Sequence, residues 1–279
     1  MSMVSFLKEL WRQIETDDAL GLSAQCAYYF LLSLFPFLLF LMSLLGFMPV
    51  TSQDVLSLIK EYIPSGAASG MEAQLREVLD TKRGVTLSFG LLFSLVTASA
   101  AMDAIVLAVN KAYGLAARKS YIRSRLLAVA LTAAMLVVVC SALLLSVFGH
   151  VIGDWMTAHT VISLGHIELW NVLRWVINFA ILLLVFTGIY YVAPNTCLHC
   201  KDVIPGALIA AAGWQLTSLG FSYYVSNWGN YSSTYGSLGG VIVLMTWFYL
   251  SAFIIIVGGE INAMAYLFKK RLSLRFNRS

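Results

Sequence analysis

The stretch from Leu238 to Phe268 constrains the fold of this 279-residue chain more than any other, because within it Glu260 is the one residue among Asp, Glu, Lys, Arg and His. An apolar run that long crosses the ~30 Å hydrocarbon core of a bilayer as a helix. A carboxylate placed inside it is costly, and such a residue is a candidate functional group by default. Five further runs reach spanning length, at about 24–48, 85–109, 126–152, 170–193 and 203–225. In lipid the backbone must satisfy its own hydrogen bonds, and the short alternating pattern of barrel strands is missing. The expected fold is therefore all-α: a polytopic membrane protein of six transmembrane helices. Composition agrees, with 59% hydrophobic and 11% charged residues against roughly 25% charged in an average soluble domain.

The connections orient the bundle. Of the 18 Lys and Arg, thirteen fall in the N-terminal tail, the second and fourth loops and the C-terminal tail, four in the first loop on the opposite side, and Arg174 within the fourth helix. The positive-inside rule places both termini in the cytoplasm, so the chain is expected as a multi-pass protein of the bacterial inner membrane. A single integral domain, 1–279, leaves no room for a soluble catalytic one. No cleavable signal is apparent in the polar lead of residues 1–22. Val4, Leu7, Leu10, Trp11 and Ile14 take helical spacing there, with Lys8 and Arg12 beside them. Two readings stand: an interfacial helix on the inner leaflet, or one packed beneath the bundle. Residues 49–84 hold two amphipathic stretches broken at Pro64, Ser65 and Gly66, which predicts an external helical hairpin, as a cap or as a lid.

Several chemistries lack their residues. No phosphate-binding loop, His-Glu-x-x-His or Gly-x-Ser-x-Gly elbow occurs. Cys197, His199 and Cys200 supply three soft groups without the second pair that structural zinc needs, and they read as free thiols and a loop histidine. His150, His159 and His166, strung along one external connection, do not form a nuclease constellation. No catalytic residue, metal or cofactor is expected. The basic second loop, with Lys111, Arg118, Lys119, Arg123 and Arg125, reads as an orientation signal that attracts anionic headgroups, so membrane lipids rather than nucleic acid are the expected partners.

What remains is the polar content of the helices. Asp103 lies eight residues before Lys111 and Glu260 nine before Lys269, so at ~1.5 Å per residue both sit about 12 to 14 Å inside the basic cytoplasmic ends. Gln25, Asn110 and Asn262 belong to the same inner level. Either these groups line a path, with a proton-titrating pair among them, or they hydrogen-bond between helices and hold the bundle in register. Toward the outside, Arg174 and Asn178 fall one turn apart, near a fifth loop rich in Ser, Asn, Tyr and Gly. Pro36, Pro205-Gly206 and the pairs Gly239-Gly240 and Gly258-Gly259 permit kinks and close helix approach.

Taken in order, Tyr28-Tyr-Phe-Leu-Leu-Ser-Leu-Phe-Pro, Asn110-Lys-Ala-Tyr-Gly, Pro194-Asn195, Pro205-Gly-Ala, Tyr235-Gly-Ser-Leu-Gly-Gly, Trp247-Phe-Tyr-Leu-Ser and Gly259-Glu-Ile-Asn-Ala resemble the YihY/BrkB family of bacterial inner-membrane proteins over nearly the whole chain. The resemblance implies a six-helix envelope protein without an established activity. Links to envelope integrity, serum resistance and lipid export come with it, and its older label, ribonuclease BN, agrees poorly with the missing nuclease residues. Pro36, Asn110, Pro194, Asn195, Pro205, Gly206, Tyr235, Gly236 and Glu260 carry the pattern; Asp103 does not. Two functions are expected to compete: a transporter or flippase of a lipid-like or envelope-precursor molecule, with Glu260, Asn262, Asn110, Asp103, Gln25, Arg174 and Asn178 along its path, and a non-transporting scaffold of envelope machinery.

Overall fold

The computed structural model describes residues 3–45, 84–115, 122–136, 165–228 and 238–276. All of the regular structure among them is helical: α1 (Met3–Thr16), α2 (Ala19–Leu45), α3 (Gly84–Ala112), a helical stretch over 122–136 (α4), α5 (Gly165–Val192), α6 (Cys200–Trp228) and α7 (Leu238–Phe276). Among the described residues five stretches are long and apolar enough to cross a membrane: Ala19–Phe40, Ser88–Ala112, Trp175–Val192, Cys200–Asn227 and Leu238–Lys270. The third apolar run is described only through α4. The hairpin expected at 49–84 lies outside the described residues except for the first residue of α3, Gly84, and so do Tyr235 and Gly236.

Large apolar side chains lie on the outside of the helices as well as in the core, and many of the buried positions are alanine. Phe35, Phe89, Leu184, Leu216 and Tyr223 are exposed, whereas Ala101, Ala128, Ala193, Ala207, Ala210, Ala211, Ala252 and Ala263 are buried. Lipid tails are as apolar as leucine, so large side chains gain nothing by facing inward, and small ones let backbones approach.

Two compact units divide the chain, one of residues 29–98 and one of residues 1–28 with 99–279. In the first, Gly90 of α3 lies against the α2 backbone; a Cβ there would meet the Phe40 nitrogen at 2.9 Å and the Pro36 oxygen at 3.1 Å. Pro36 is accommodated inside a continuous α2 rather than ending it.

In the second unit α6 packs against both α5 and α7, and α1 packs on α7. Leu10 and Ile14 are buried, while Val4, Leu7 and Trp11 are exposed. The N-terminal lead is thus shorter than the expected 1–22: Asp18, with φ 56°, turns the chain and α2 starts at Ala19. Gly114 ends α3 in the left-handed conformation at φ 65°, with its N–H bonded to the Lys111 carbonyl at 2.8 Å. The fifth span also starts earlier than 203. Its first turn is held by Asp202, which accepts from the His199 N–H at 3.3 Å and from Lys269 Nζ at 3.2 Å, so Pro205 falls within α6.

Candidate functional site

The buried segment Gly258-Gly259-Glu260-Ile261-Asn262 of α7 is where three other helices of the second unit meet. Gly258 faces α6 and α5: a Cβ there would collide with Tyr190 Oη and would sit 2.8 Å from Ala210 Cβ and 2.9 Å from the Gly206 carbonyl. The reciprocal substitution at Gly206 would strike the Gly258 carbonyl and come within 2.5 Å of Asn262 Cγ. Gly259 faces α3 and α5, with Val109 Cγ2 at 3.0 Å from its would-be Cβ and the Tyr190 ring at 3.6 Å. Tyr190, fully buried, donates to the Ile255 carbonyl at 2.5 Å and ties α5 to α7 one turn before this segment. Further along the seam, Trp214 Nε1 donates to Ser251 Oγ at 3.1 Å and Trp247 Nε1 to Ser218 Oγ at 3.3 Å.

Asn262 bonds to the backbone on both sides of Pro205, which lies inside a continuous α6. Its Oδ1 accepts from the Gly206 N–H at 2.7 Å and its Nδ2 donates to the Val203 carbonyl at 2.9 Å. Proline lacks an N–H and its ring crowds the preceding turn, so the side-chain amide supplies partners that the helix ladder is disturbed in giving. Asn110 does the same for the turn after α5. Its Nδ2 donates to Val106 O at 2.7 Å and Ala193 O at 3.0 Å, and its Oδ1 accepts from the Asn195 N–H at 2.8 Å. That clamp accounts for Asn110, Pro194 and Asn195 together.

Asp103 pairs with Arg125 of α4, Oδ2 to Nη1 at 2.5 Å, with both side chains about one-third exposed. Gln25 is exposed on α2. Asn178 is half-buried on α5 and leaves Oδ1 without a partner among the described residues. Arg174 lies on the same helix, its side chain outside the described set. Cys197 and Cys200 are exposed free thiols, Cys26 is buried, and no group of three or more His, Cys, Asp or Glu that could hold a metal occurs among the described residues.

Glu260 differs from all of these. It is 0% exposed, and neither carboxylate oxygen has a hydrogen-bond partner among the described residues. Asp17, in the turn between α1 and α2, lies within electrostatic reach of it. Burial pushes the Asp17 carboxyl above its usual range, and the Lys111 charge opposes that shift; Lys111 Nζ also donates to the Asp17 backbone oxygen at 3.4 Å. Tyr113 is buried, its hydroxyl without a partner among the described residues and its ring 5.7 Å from that of Tyr266. Burial pushes the Tyr113 phenol up, and the Asp202 and Tyr266 charges add to the shift. Sequence reasoning passed over Asp17, Lys111, Tyr113 and Tyr190 as site residues. The available signal was a set of tyrosines and charges at the cytoplasmic ends of apolar runs, which says nothing of the direction each faces.

A family model described as Virulence factor BrkB matches residues 10–275. The chain is 44% identical over 267 residues to the ribonuclease-like protein YfkH of Bacillus subtilis strain 168, covering 96% of this chain and 97% of that protein. It is 27% identical over 259 residues to a UPF0761 membrane protein of Tolumonas auensis, covering 91% and 82%, and 26% identical over 261 residues to another from Chromohalobacter salexigens, covering 92% and 62%. No solved structure matches.

Proposed function

Because the chain belongs to the BrkB family of membrane proteins, known in other bacteria as UPF0761 membrane proteins, we propose that it spans the inner membrane six times with both termini in the cytoplasm. In this reading it moves a lipid-like or envelope-precursor molecule across the bilayer, in the service of envelope integrity, and Glu260 is the group whose charge state changes during the cycle. The observation that carries this is that neither oxygen of buried Glu260 meets a hydrogen-bond donor among the described residues. Asn110 and Asn262, at the same membrane level, spend their amides on backbone groups, and Asp103 has Arg125. A carboxyl group kept only for helix register would be expected to find a donor as they do. One left with two bare oxygens in a low-dielectric interior is neutralised by a proton or by a cationic ligand, which is what a coupling group in a transporter requires.

The name ribonuclease-like belongs to YfkH. The test is Glu260→Gln, which keeps the shape and removes the titration. Expected is normal membrane abundance with loss of rescue in a strain lacking the protein, read by envelope sensitivity and by the lipid composition of each leaflet. Full rescue by the Gln variant at normal abundance refutes the transport reading and leaves the scaffold.

A further inference from the structure

The apolar side of α1 is wider than the part of it that the chain covers. At ~100° per residue, Phe6, Leu10, Ile14, Leu7, Trp11 and Val4 follow one another around an arc of about 160°. Polar residues fill the rest of the circumference, from Glu15 and Lys8 beside Val4 round to Gln13 beside Phe6. In the first half of the arc Phe6 is half-buried and Leu10 and Ile14 are buried, as α1 packs on α7. The other half is open: Val4 is 64% exposed, and Leu7 and Trp11 are 56% each. The Trp11 indole N–H donates to Glu15 Oε1 at 2.7 Å, so its polar tip is turned to the polar side and its ring stays with the apolar flank. Only Asp17 and Asp18 separate Thr16, the end of α1, from Ala19, where the first stretch long enough to cross the membrane begins. Three Cα steps keep those two points within about 11 Å of each other. From the last turn of α3, where the second such stretch ends at Ala112, Lys111 Nζ reaches the Asp17 backbone oxygen at 3.4 Å. The end of α1 therefore sits at the level where two spans leave the bilayer.

We propose that α1 is a membrane-surface anchor whose open flank of Val4, Leu7 and Trp11 is sunk among the headgroups and upper acyl chains of the leaflet at which α2 begins and α3 ends. The buried half of the arc docks on protein and the open half on lipid, so one amphipathic helix serves both surfaces that meet at that level. Its occupant follows from continuity with the span next in the chain: α2 exposes apolar side chains from its first turn, at Leu20 and again at Tyr28. Charge does not supply the attraction. In α1 the two bases, Lys8 and Arg12, are offset by the two acids, Glu9 and Glu15, and Arg12 is already paired with Glu9 at 2.5 Å. The carboxylates that follow, Asp17 and Asp18, give an anionic headgroup no advantage over a neutral one. The anchor thus works by burying three apolar side chains and does not depend on anionic lipid, unlike a polybasic segment. It is independent of whether the protein transports anything.

The test uses the full-length protein in lipid nanodiscs, made either of phosphatidylcholine alone or with phosphatidylglycerol added. In a background with Cys140, Cys197 and Cys200 replaced by Ala and buried Cys26 kept, a fluorophore is attached at Leu7→Cys, Trp11→Cys, Arg12→Cys or Thr16→Cys, all exposed positions whose exchange leaves the core intact. The background without an added cysteine is the blank. Expected is strong quenching of the Leu7 and Trp11 labels by lipids carrying a spin label on the upper acyl chain, and of the Arg12 and Thr16 labels by iodide in the water. The pattern is expected to be the same in both lipid mixtures and at low and high salt. Iodide quenching as strong at Leu7 and Trp11 as at Arg12 and Thr16 overturns the anchor, because α1 then stands in water. Quenching of the Leu7 and Trp11 labels by neither agent overturns it too, and means that protein, such as a second copy of this chain, covers the flank. Lipid quenching at all the labelled positions refutes the sidedness of the helix. Lipid quenching that needs phosphatidylglycerol or vanishes at high salt refutes the apolar anchor in favour of a charge-driven contact.

Discussion

Asn262 is the position at which the packing and path readings make opposite predictions. Asn262→Ala removes the acceptor of the Gly206 N–H and the donor to the Val203 carbonyl, both in buried backbone beside Pro205. Each buried group left unsatisfied costs roughly 1–3 kcal/mol, and interhelical hydrogen bonds in membranes average nearer 0.6–2 kcal/mol. Two of them give a loss of about 2–4 kcal/mol. At the 2–4 °C per kcal/mol of a 150–250-residue domain, Tm in detergent falls by roughly 5–15 °C. An Asn262→Ala variant with unchanged Tm and lost function refutes the assignment of Asn262 to the backbone on either side of Pro205 and returns it to the substrate path.

Gly258→Ala drives a methyl group into Tyr190 Oη and Ala210 Cβ; overpacking of about 1–3 kcal/mol or more is expected, read as a lower Tm, whereas Gly220→Ala, with open space around its Cβ, is expected to leave it unchanged. Asp103→Asn is expected to lose about 1 kcal/mol, as suits a pair one-third exposed, and the exchange Asp103→Arg with Arg125→Asp is expected to recover more than half in the same melt. The Asp17 carboxyl is raised by burial, so folding favours its protonated form: that contribution is full below the unfolded value of about 3.9 and is lost as pH rises through the folded one. Asp17→Asn in choline buffer is therefore expected to melt higher than the parent at pH 8 and level with it at pH 4; a gap that widens toward acid refutes the sign. In a Cys140→Ala background, a membrane-impermeant maleimide is expected to label exposed Cys197 and Cys200 in inside-out vesicles and not in right-side-out cells, leaving buried Cys26 unlabelled in both; the reverse pattern overturns the assigned orientation.

Five of the spans were legible because lipid imposes length and apolarity on any helix that crosses it, and Leu238 to Phe268 obeys. Helix ends were less so. Asp18 takes a positive φ that ends α1 and lets α2 begin at Ala19, five residues before the apolar run becomes obvious. Asp202 likewise starts α6 within polar sequence. Counting from Lys111 and Lys269 gives an expected depth but no direction: an Asn in an apolar run looks the same on a string whether it faces a cavity or the carbonyl of Ala193. Pro205 and Pro194 each held the missing hint, since a proline in a membrane helix or tight turn disturbs backbone bonding that some side chain must repair. Asn262 and Asn110 are those side chains.

The same seam limits how such a bundle can move. Around Gly206, Ala210 and Gly258 the backbones of α6 and α7 approach until a single Cβ would collide, and Asn262, Tyr190 and the Trp–Ser pairs bolt the contact along its length. Sliding α6 past α7 would bare several buried backbone groups at once. α1 is held otherwise: Leu10 and Ile14 are buried, Val4, Leu7 and Trp11 are exposed, and Lys111 reaches Asp17 only through a 3.4 Å bond to its backbone oxygen. Motion of α1 therefore breaks fewer buried backbone bonds than motion along the α6–α7 seam.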